Sequence, residues 1–416
     1  MNGWESTTLD DLYAEPSRNG LTRPKSVRGS GYRMINMGEI FAHERIGNIE
    51  MERVQMTEKE IASFEVKKGD LLFARQSLVL AGAGKCSLVK FVGETTTFES
   101  HLIRVRLNPK RAVPDFFFYY FISPQGKQNV QSIVMQVAAA GIRGSELAKL
   151  EVPIPPLPVQ RRIAGILSAY DELMENSQRR IGLLEAMARA LYREWFVHFR
   201  FPGHEKHPRV ASPLGDIPQG WEVRTVADSF EISGGGTPSR KEDKYWDGGT
   251  IQWFSPSGLT GADTMFMDDS PERITELGLA ESSARLFPAF SVMLTSRATI
   301  GAIAINTHEA CTNQGFITCL PNERVPLYFL FHWLTENVPT FERMASGATF
   351  KEISRGVFKT IEFLHPAPAL VRRFESQVEP MGKQMLALQR QIQNLRRTRD
   401  LLLPRLLSGQ VELKTN

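Results

Sequence analysis

Cysteine is scarce, and its scarcity is the first constraint. Cys86, Cys311 and Cys319 are the only three, too few for a disulfide framework and never in the Cys-x-x-Cys spacing of a metal or redox site. That usage fits a reducing compartment, and a cytoplasmic location is expected. No run of about 20 apolar residues occurs, so no membrane span is expected. The N-terminal Met1-Asn2-Gly3-Trp4-Glu5-Ser6 lacks the basic start and apolar run of a secretory signal. A dominant charge is lacking too: 50 Lys and Arg against 46 Asp and Glu leave a formal net charge of +4. That balance permits a nucleic-acid partner without demanding one. With 42% apolar and 23% charged residues over 416 positions, two or three packed domains are expected rather than disorder.

Catalytic signatures are also missing. Gly82-Ala83-Gly84-Lys85-Cys86-Ser87 approaches a phosphate loop, but the first glycine of that motif would fall at Val79, and Cys86 stands where a magnesium-binding Ser or Thr belongs. A turn between strands is the better reading. His204-Glu205-Lys206-His207 brings its second His one residue early for a zinc helix, with Pro208 in its place. Glu65-Val66-Lys67 precedes Pro114-Asp115, the wrong order for a nuclease site. No Asn-Pro-Pro-aromatic or Asp-Pro-Pro-aromatic tetrapeptide for amino-methyl transfer is present. Ser233-Gly234-Gly235-Gly236-Thr237-Pro238 has too many turn formers to open a cofactor-binding helix. The chain is expected to catalyse nothing alone and to bind neither metal nor cofactor.

What is present is a long internal repeat. An apolar stripe at heptad spacing runs through Ile163, Leu167, Tyr170, Met174, Ile181, Leu184, Leu191 and Trp195. It returns as Phe374, Val378, Met381, Met385, Ile392, Leu395, Leu402 and Leu406. Ile181 and Ile392 stand 211 positions apart. Each stripe follows a proline-rich approach, Pro155-Pro156-Leu157-Pro158 in one case and Pro366-Ala367-Pro368 in the other. Upstream, Gly3-Trp4-Glu5 recurs as Gly220-Trp221-Glu222, and Gly69 to Arg75 is echoed by Phe290 to Arg297. The aromatic helix begun by Pro114 is echoed by that begun by Pro326, and Gly141 to Leu147 is aligned with Gly347 to Ile353. The strand-like segments Ser100–Leu107, Thr250–Phe254 and Ile300–Ile305 give each module an α+β reading. The spacing drifts in the modules, as loop insertions allow.

Residues 159–197 form a helix of roughly 55–60 Å at 1.5 Å per residue. The second helix, from about residue 370 to 407, is expected to be interrupted at Pro380 and Pro404. Two matching stripes with charged flanks predict that the helices pair as an antiparallel coiled coil. Packing of each helix on its own module is the alternative. Arg396, Arg397 and Arg399 read as a solvated or partner-facing edge. The expected divisions are a first module at 1–155, a helix at 156–200, a linker at 201–218, a second module at 219–366 and a C-terminal helix at 367–416.

The block Pro153 to Ile163, continuing to Trp195-Phe196-Val197, resembles the central helix of the specificity (S) subunit of type I restriction–modification enzymes. Leu401 to Gly409 resembles that family's ending. Gly220-Trp221-Glu222, Ser233 to Ser239 and Gly347 to Ile353 resemble its recognition-domain signatures. The resemblance covers the whole chain. It implies two target-recognition domains separated by two antiparallel coiled-coil helices, a pseudo-twofold repeat. Each domain would read half of a bipartite sequence in double-stranded DNA. The helices would act as a ruler and dock two methyltransferase (M) subunits, with motor–nuclease (R) subunits completing the complex. S-adenosylmethionine would serve on the M subunits, and ATP and magnesium on the R subunits. The first module departs from the pattern, with Ser17-Arg18-Asn19-Gly20 where the second has its Gly-rich signature.

In such a molecule phosphate contacts give affinity and base-edge contacts give specificity. The candidates are Arg75, Gln76, Lys85 and Arg143 in the first module, and Arg240, Lys241, Lys244, Arg297, Thr349 and Lys351 in the second. A solvated surface cation is the alternative for each. Tyr245, Trp246 and Trp253 are assigned to the core rather than to base stacking. The rivals to the family reading are a free-standing DNA-modifying enzyme, a coiled-coil scaffold without a DNA role, and an orphan DNA-binding regulator.

Overall fold

The computed structural model describes residues 4–77, 82–90, 93–136, 140–261, 264–347 and 351–410. The chain divides into two compact units: Met1–Glu175 with Ile392–Asn416, and Asn176–Gln391. Both cuts fall inside long helices, so each unit contains a recognition-sized module and a segment of each helix.

The first unit begins with β1 (Ser6–Thr8), β2 (Tyr13–Asn19), β3 (Arg28–Ile35), α1 (Met37–Ala42), β4 (Arg45–Ile46), β5 (Glu52–Val54) and α2 (Glu58–Phe64). It continues with β6 (Leu71–Ala74), β7 (Gln76–Ser77), β8 (Cys86–Val89), β9 (Thr96–Phe98), β10 (Leu102–Leu107), α3 (Pro114–Ile122) and α4 (Pro124–Gln131). It closes with β11 (Met135–Gln136), β12 (Ala140–Gly141), α5 (Gly144–Ala148) and β13 (Glu151–Pro153), from which α6 (Leu157–Tyr192) leads on. The second unit has β14 (Arg209–Ser212), β15 (Gly215–Pro218), β16 (Glu222–Thr225), β17 (Glu231–Gly234), β18 (Ile251–Phe254), α7 (Pro256–Thr260), β19 (Phe266–Met267) and β20 (Glu272–Ile274). Then come α8 (Glu276–Ala280), β21 (Val292–Thr295), β22 (Ile303–Asn306), β23 (Ala310–Thr312), β24 (Phe316–Leu320), α9 (Leu327–Glu336), α10 (Val338–Met344), α11 (Arg355–Lys359), β25 (Glu362–His365) and α12 (Pro368–Leu407).

The repeat is a repeat of topology. A five-stranded sheet has the order β2-β10-β6-β8-β4 in the first unit and β17-β24-β21-β22-β19 in the second. In both, the last pair is parallel and the others antiparallel. A three-stranded sheet follows suit, β5-β3-β9 against β20-β18-β23, again with one parallel pair. The two-stranded β1-β13 matches β16-β25. The fold of each module is therefore α+β.

Local chemistry explains the elements that set the frame. Thr57 and Glu60 form a capping box at the start of α2. Pro114 takes the first position of α3, where its missing N–H is no loss. Phe116 to Phe121 are all buried, so α3 is apolar all round and sits in the core between sheet and long helices. The corresponding α9 buries Tyr328 to Leu334. β10 is buried on both faces except at Arg106, not half-buried as its alternation suggested, because α3 and α2 cover opposite sides of its sheet.

Two expectations are corrected. The C-terminal helix is one continuous element of 40 residues, unbroken at Pro380 and Pro404. A proline inside a helix costs about 3 kcal/mol. Val378 and Met385 on either side of Pro380 are fully buried, and that packing holds the helix where propensity would break it. The 201–218 stretch is also more than a linker, since β14 and β15 form a hairpin and Phe201 is buried against Trp221 at 5.6 Å between ring centroids.

The helices pair antiparallel. In the first unit the start of α6 (Ile163, Ala164, Leu167) shares a core with the end of α12 (Leu403, Leu406, Leu407). In the second, Tyr192 at the end of α6 meets Phe374 near the start of α12 edge-to-face at 5.8 Å between ring centroids, and Phe329 of α9 at a tilt at 5.6 Å. A π-helical turn, Arg193–Val197, follows α6 and brings Phe196 onto the same rings.

Candidate nucleic-acid interface

In the second unit the Gly234-Gly235-Gly236-Thr237-Pro238 run leaves β17 where neighbours crowd its backbone. A Cβ on Gly234 would lie 2.4 Å from Arg355 Nη1, one on Gly235 2.0 Å from the Asn313 carbonyl oxygen, and one on Gly236 2.2 Å from Ser283 Oγ. At Gly235 and Gly236 the crowding includes fixed backbone, which only glycine fits, whereas at Gly234 it is the movable end of an arginine. A ladder of hydrogen bonds then crosses the loop ends. Gly236 N donates to Thr312 O at 2.8 Å, Thr237 Oγ1 to Gln314 Oε1 at 2.7 Å, and Ser296 N to Gly315 O at 2.8 Å. Ile353 N donates to Ser296 O and Ala298 N to Lys351 O, both at 3.0 Å. The rim so built gathers the Gly-rich turn, Arg297 and Lys351, with both cations exposed. Ala298 sits at φ 63°, a left-handed conformation that costs a non-glycine residue about 1 kcal/mol and is typical of binding loops. Arg297 Nε lies 3.7 Å from Glu352 Oε2. Thr349 lies outside the described residues.

The first unit builds the same ladder with other side chains. Leu21 N donates to Phe98 O at 2.9 Å, Arg75 N to His101 O at 2.7 Å, and Ile142 N to Arg75 O at 2.9 Å. A Cβ on Gly20 would lie 2.2 Å from the Glu99 carbonyl oxygen, the relation Gly235 has to Asn313. Gly20 is thus the counterpart of Gly235, and the departure at Ser17-Arg18-Asn19-Gly20 keeps the one glycine this crossing requires. Gln76 pairs with Gly141 between β7 and β12, which brings Arg75, Gln76 and Arg143 together. Arg75 Nη1 donates to Ser100 O at 3.3 Å, while Gln76 and Arg143 are exposed.

These bonds correct the alignment of the repeat. Ile142 answers to Ile353 and α5 to α11, so Gly141–Leu147 is not the counterpart of Gly347–Ile353. Arg75 answers to Ser296 and Gln76 to Arg297. Ile142 and Ile353 are 211 positions apart, the offset of the helices, because no loop of variable length separates them from α6 and α12.

The remaining candidates are engaged inside the protein to different degrees. Lys85 is half-buried: its Nζ donates to the Phe41 carbonyl at 2.8 Å and lies 5.2 Å from that ring's centroid. Burial lowers its pKa. Its side chain folds onto α1 instead of projecting from a loop. The Arg240 guanidinium lies 3.7 Å from the Trp246 ring centroid and 4.9 Å from that of Trp253. Its two terminal nitrogens meet Glu272 at 2.5 and 3.0 Å, and this hydrogen bonding lowers the Glu272 pKa. Lys244 is exposed, 3.9 Å from Glu242 and from Glu281, and Lys241 is exposed. Trp253 is buried and donates Nε1 to Gly236 O at 3.0 Å, so it supports the Gly-rich turn from beneath.

The helix stripe splits by depth. Ile163, Leu167, Ile181, Phe374, Val378, Met385 and Ile392 are buried. Tyr170, Met174, Leu184, Leu191, Met381, Leu395 and Leu402 are half-buried. The fully buried neighbours of the second group were missed: Asp171, Ala188, Tyr192, Leu388 and Leu403. Asp171 escaped because a carboxylate does not register in an apolar stripe. Arg399 is not on a solvated edge, since its side chain is 12% exposed and its Nη1 lies 2.6 Å from Asp171 Oδ1. The reason is that the apolar phase of α12 turns position 399 inward between Leu395 and Leu402, where Asp171 supplies the countercharge. Leu173, Leu183, Met187 and Leu401 are exposed on the outer helix faces.

Comparison with known proteins follows the repeat. The family described as type I restriction modification DNA specificity domain matches residues 1–186 and 218–369. The chain is 22% identical over 475 residues to the HindI specificity subunit of Haemophilus influenzae, covering 99% of this chain and 100% of that one. It is 35% identical over 177 residues to the MjaIX specificity subunit of Methanocaldococcus jannaschii, covering 42% of this chain and 40% of the relative. The crystal structure of a type I restriction–modification S subunit from M. genitalium shares the fold, with a TM-score of 0.63 at 16% identity, over 97% of this chain and 96% of that one.

Proposed function

Because the chain belongs to the type I restriction–modification DNA specificity family, we propose that its two rims read the two halves of one bipartite DNA target. As a specificity subunit it is not itself an enzyme. The observation that carries the reading is the repeated hydrogen-bond ladder. The same backbone frame appears twice, presenting Arg75, Gln76 and Arg143 in one unit and Arg297 and Lys351 in the other. A shared frame with unlike side chains suits two readers of two different half-sites. Lys and Arg at the rims would meet phosphates, and a few side chains would reach base edges at about 1–3 kcal/mol per bidentate pair.

Residues 1–155 and 219–366 then act as recognition domains, and the helices at 156–200 and 367–416 set the unread spacer. A helix of roughly 55–60 Å spans about 16–17 base pairs, part of which the readers themselves cover, leaving a spacer of about 5–8 base pairs. The outer helix faces would dock two methyltransferase subunits, with motor–nuclease subunits beyond them. S-adenosylmethionine would be used on the former, ATP and magnesium on the latter, all in the cytoplasm. Among the described residues no helix is long and apolar enough to cross a membrane.

Co-expression with the cognate methyltransferase subunit, followed by genome-wide mapping of methylated adenines, tests the reading. Methylation at a single two-part motif is expected, and insertion of one helical turn in both α6 and α12 should lengthen its spacer. Methylation at an undivided motif, or none with any methyltransferase partner, would sink the proposal.

A further inference from the structure

Beside the Gly-rich turn of the second unit lies a pocket of about 430 Å³ that no predicted contact occupies. Its floor is Gly234 and Gly235, and its walls carry Ser282, Ser283, Arg285 and Arg355. Both arginines are exposed, and neither has an ion pair or hydrogen bond among the described residues. This sets them apart from Arg240 and Arg297, each of which faces a carboxylate. The Arg355 guanidinium packs over Gly234 so closely that any side chain there would displace it. The glycine floor thus positions an arginine that has nothing else to hold. Ser282 Oγ accepts from Ala284 N at 3.2 Å, a bond that does not use its own proton, and Ser283 Oγ faces Gly236. Two unpaired guanidiniums and two hydroxyls around a bare backbone floor are donors without an acceptor.

We propose that Arg285 and Arg355 clamp phosphates of the DNA backbone next to the second reading rim. The inference rests on the DNA-reading function above and assigns residues to its sequence-independent part. Arg355 opens α11 two residues after Ile353 of the rim ladder, with Ser354 as its cap, so a strand read at Arg297 and Lys351 would pass the pocket. Guanidinium is the donor that suits phosphate oxygens, because its planar fork makes two parallel bonds. The first unit builds this corner differently: Arg18, on the strand that leads to Gly20, is exposed with its guanidinium 5.3 Å from the Phe64 ring centroid. Gly144 stands 211 positions before Arg355, and the nearby hollow of the first unit is lined by Asp10, Glu15 and Ser17.

The test uses the full-length chain with its methyltransferase subunit, a duplex carrying the mapped target, and a scrambled duplex of equal length. Affinity is measured by anisotropy from 50 to 200 mM salt for wild type, Arg285→Gln/Arg355→Gln and Arg285→Lys/Arg355→Lys. The Gln pair should bind both duplexes more weakly and flatten the slope of log K against log salt by about 1.8, or 0.9 per phosphate. Over that fourfold salt range the wild type should lose about 12-fold more affinity than the Gln pair. The Lys pair should restore most of the slope, and the methylated motif should stay the same. An unchanged slope overturns the clamp. So does weakening confined to the target duplex, which would make the arginines base readers. If wild type itself fails to distinguish the two duplexes, the DNA-reading function fails first. Because all substituted side chains are exposed, unchanged thermal unfolding of the variants excludes misfolding as the cause.

Discussion

Arg399 of α12 places Nη1 2.6 Å from Asp171 Oδ1 of α6, and both side chains are largely withdrawn from water. Tyr119 donates to the other oxygen of Asp171 at 2.5 Å, and Arg45 Nη1 approaches it at 3.5 Å. Burial opposes the Arg399 charge, but the carboxylates of Asp171 and Asp400 outweigh it and raise the pKa. The repeat has no second copy of this pair: 211 positions away from Asp171 and Arg399 stand Gly382 and Ala188. Arg399→Met leaves a buried carboxylate short of its main partner and is expected to cost about 3 kcal/mol. Arg399→Met with Asp171→Leu should cost less than the two single changes summed, by about 1–3 kcal/mol in a denaturant double-mutant cycle. Simple additivity would show that the pair does not couple the helices.

Glu375 accepts from Tyr328 N at 3.0 Å and Phe329 N at 3.2 Å, closing the start of α9. Burial raises its pKa to about 7 although both N–H groups pull it down. The folded chain therefore holds this proton more tightly than the unfolded chain, whose carboxyl titrates near 4.5. The resulting stability is full below about pH 4.5 and is lost as pH rises to about 7, by at most about 3 kcal/mol. His332, lowered to about 3 by burial, works with the opposite sign between about 6.5 and 3. The measurement is consequently the difference between wild type and Glu375→Gln in thermal unfolding from pH 5 to 8. The variant should gain relative to wild type as pH rises. A constant difference would show that Glu375 keeps an ordinary pKa.

Glycines of the long helices should respond in opposite directions. A Cβ on Gly382 would lie 2.0 Å from Tyr328 Oη, whereas nothing stands within 4 Å of one on Gly165 or Gly182. Gly165→Ala and Gly182→Ala should each stabilise by about 0.5–1 kcal/mol, the helix preference of alanine over glycine. Gly382→Ala should destabilise by about 1–3 kcal/mol through overpacking, despite the same preference. Urea melts of the three variants give the signs directly.

Arg240 is restrained by Glu272 and stacked on Trp246. Glu272→Gln removes the competing carboxylate while keeping the stacking platform. Non-specific DNA affinity should rise severalfold at low salt, with a salt slope steeper by about 0.9. Because the pair is half-exposed, stability should change by less than about 1 kcal/mol. An unchanged slope would mean that Arg240 serves the fold alone.

The large features were legible in the chain because they are periodic. Heptad spacing exposed both helices, and duplication exposed their antiparallel pairing. The Gly234–Gly236 run was legible as a turn, while the crowding that demands its glycines came from neighbours distant in the chain. Single polar residues resisted the same reading. Asp171 interrupts an apolar stripe and looks like surface, Arg399 sits among arginines that are surface, and Lys85 follows glycines and looks like loop. Arg285 and Arg355 carry no local pattern at all. Their interest lies in the absence of a carboxylate nearby, which is a property of space and not of order along the chain.

By itself, the sequence determined the two modules, the two helices and the constant offset between them, since local periodicity and steric demand act over a few residues. Only tertiary structure decided which charges are buried, which are paired and which stand open. Desolvation and ion pairing depend on residues as far apart as Asp171 and Arg399, brought within 2.6 Å by the fold. The same holds for the unbroken helix through Pro380, where burial of Val378 and Met385 outweighs a local preference that alone would have ended it.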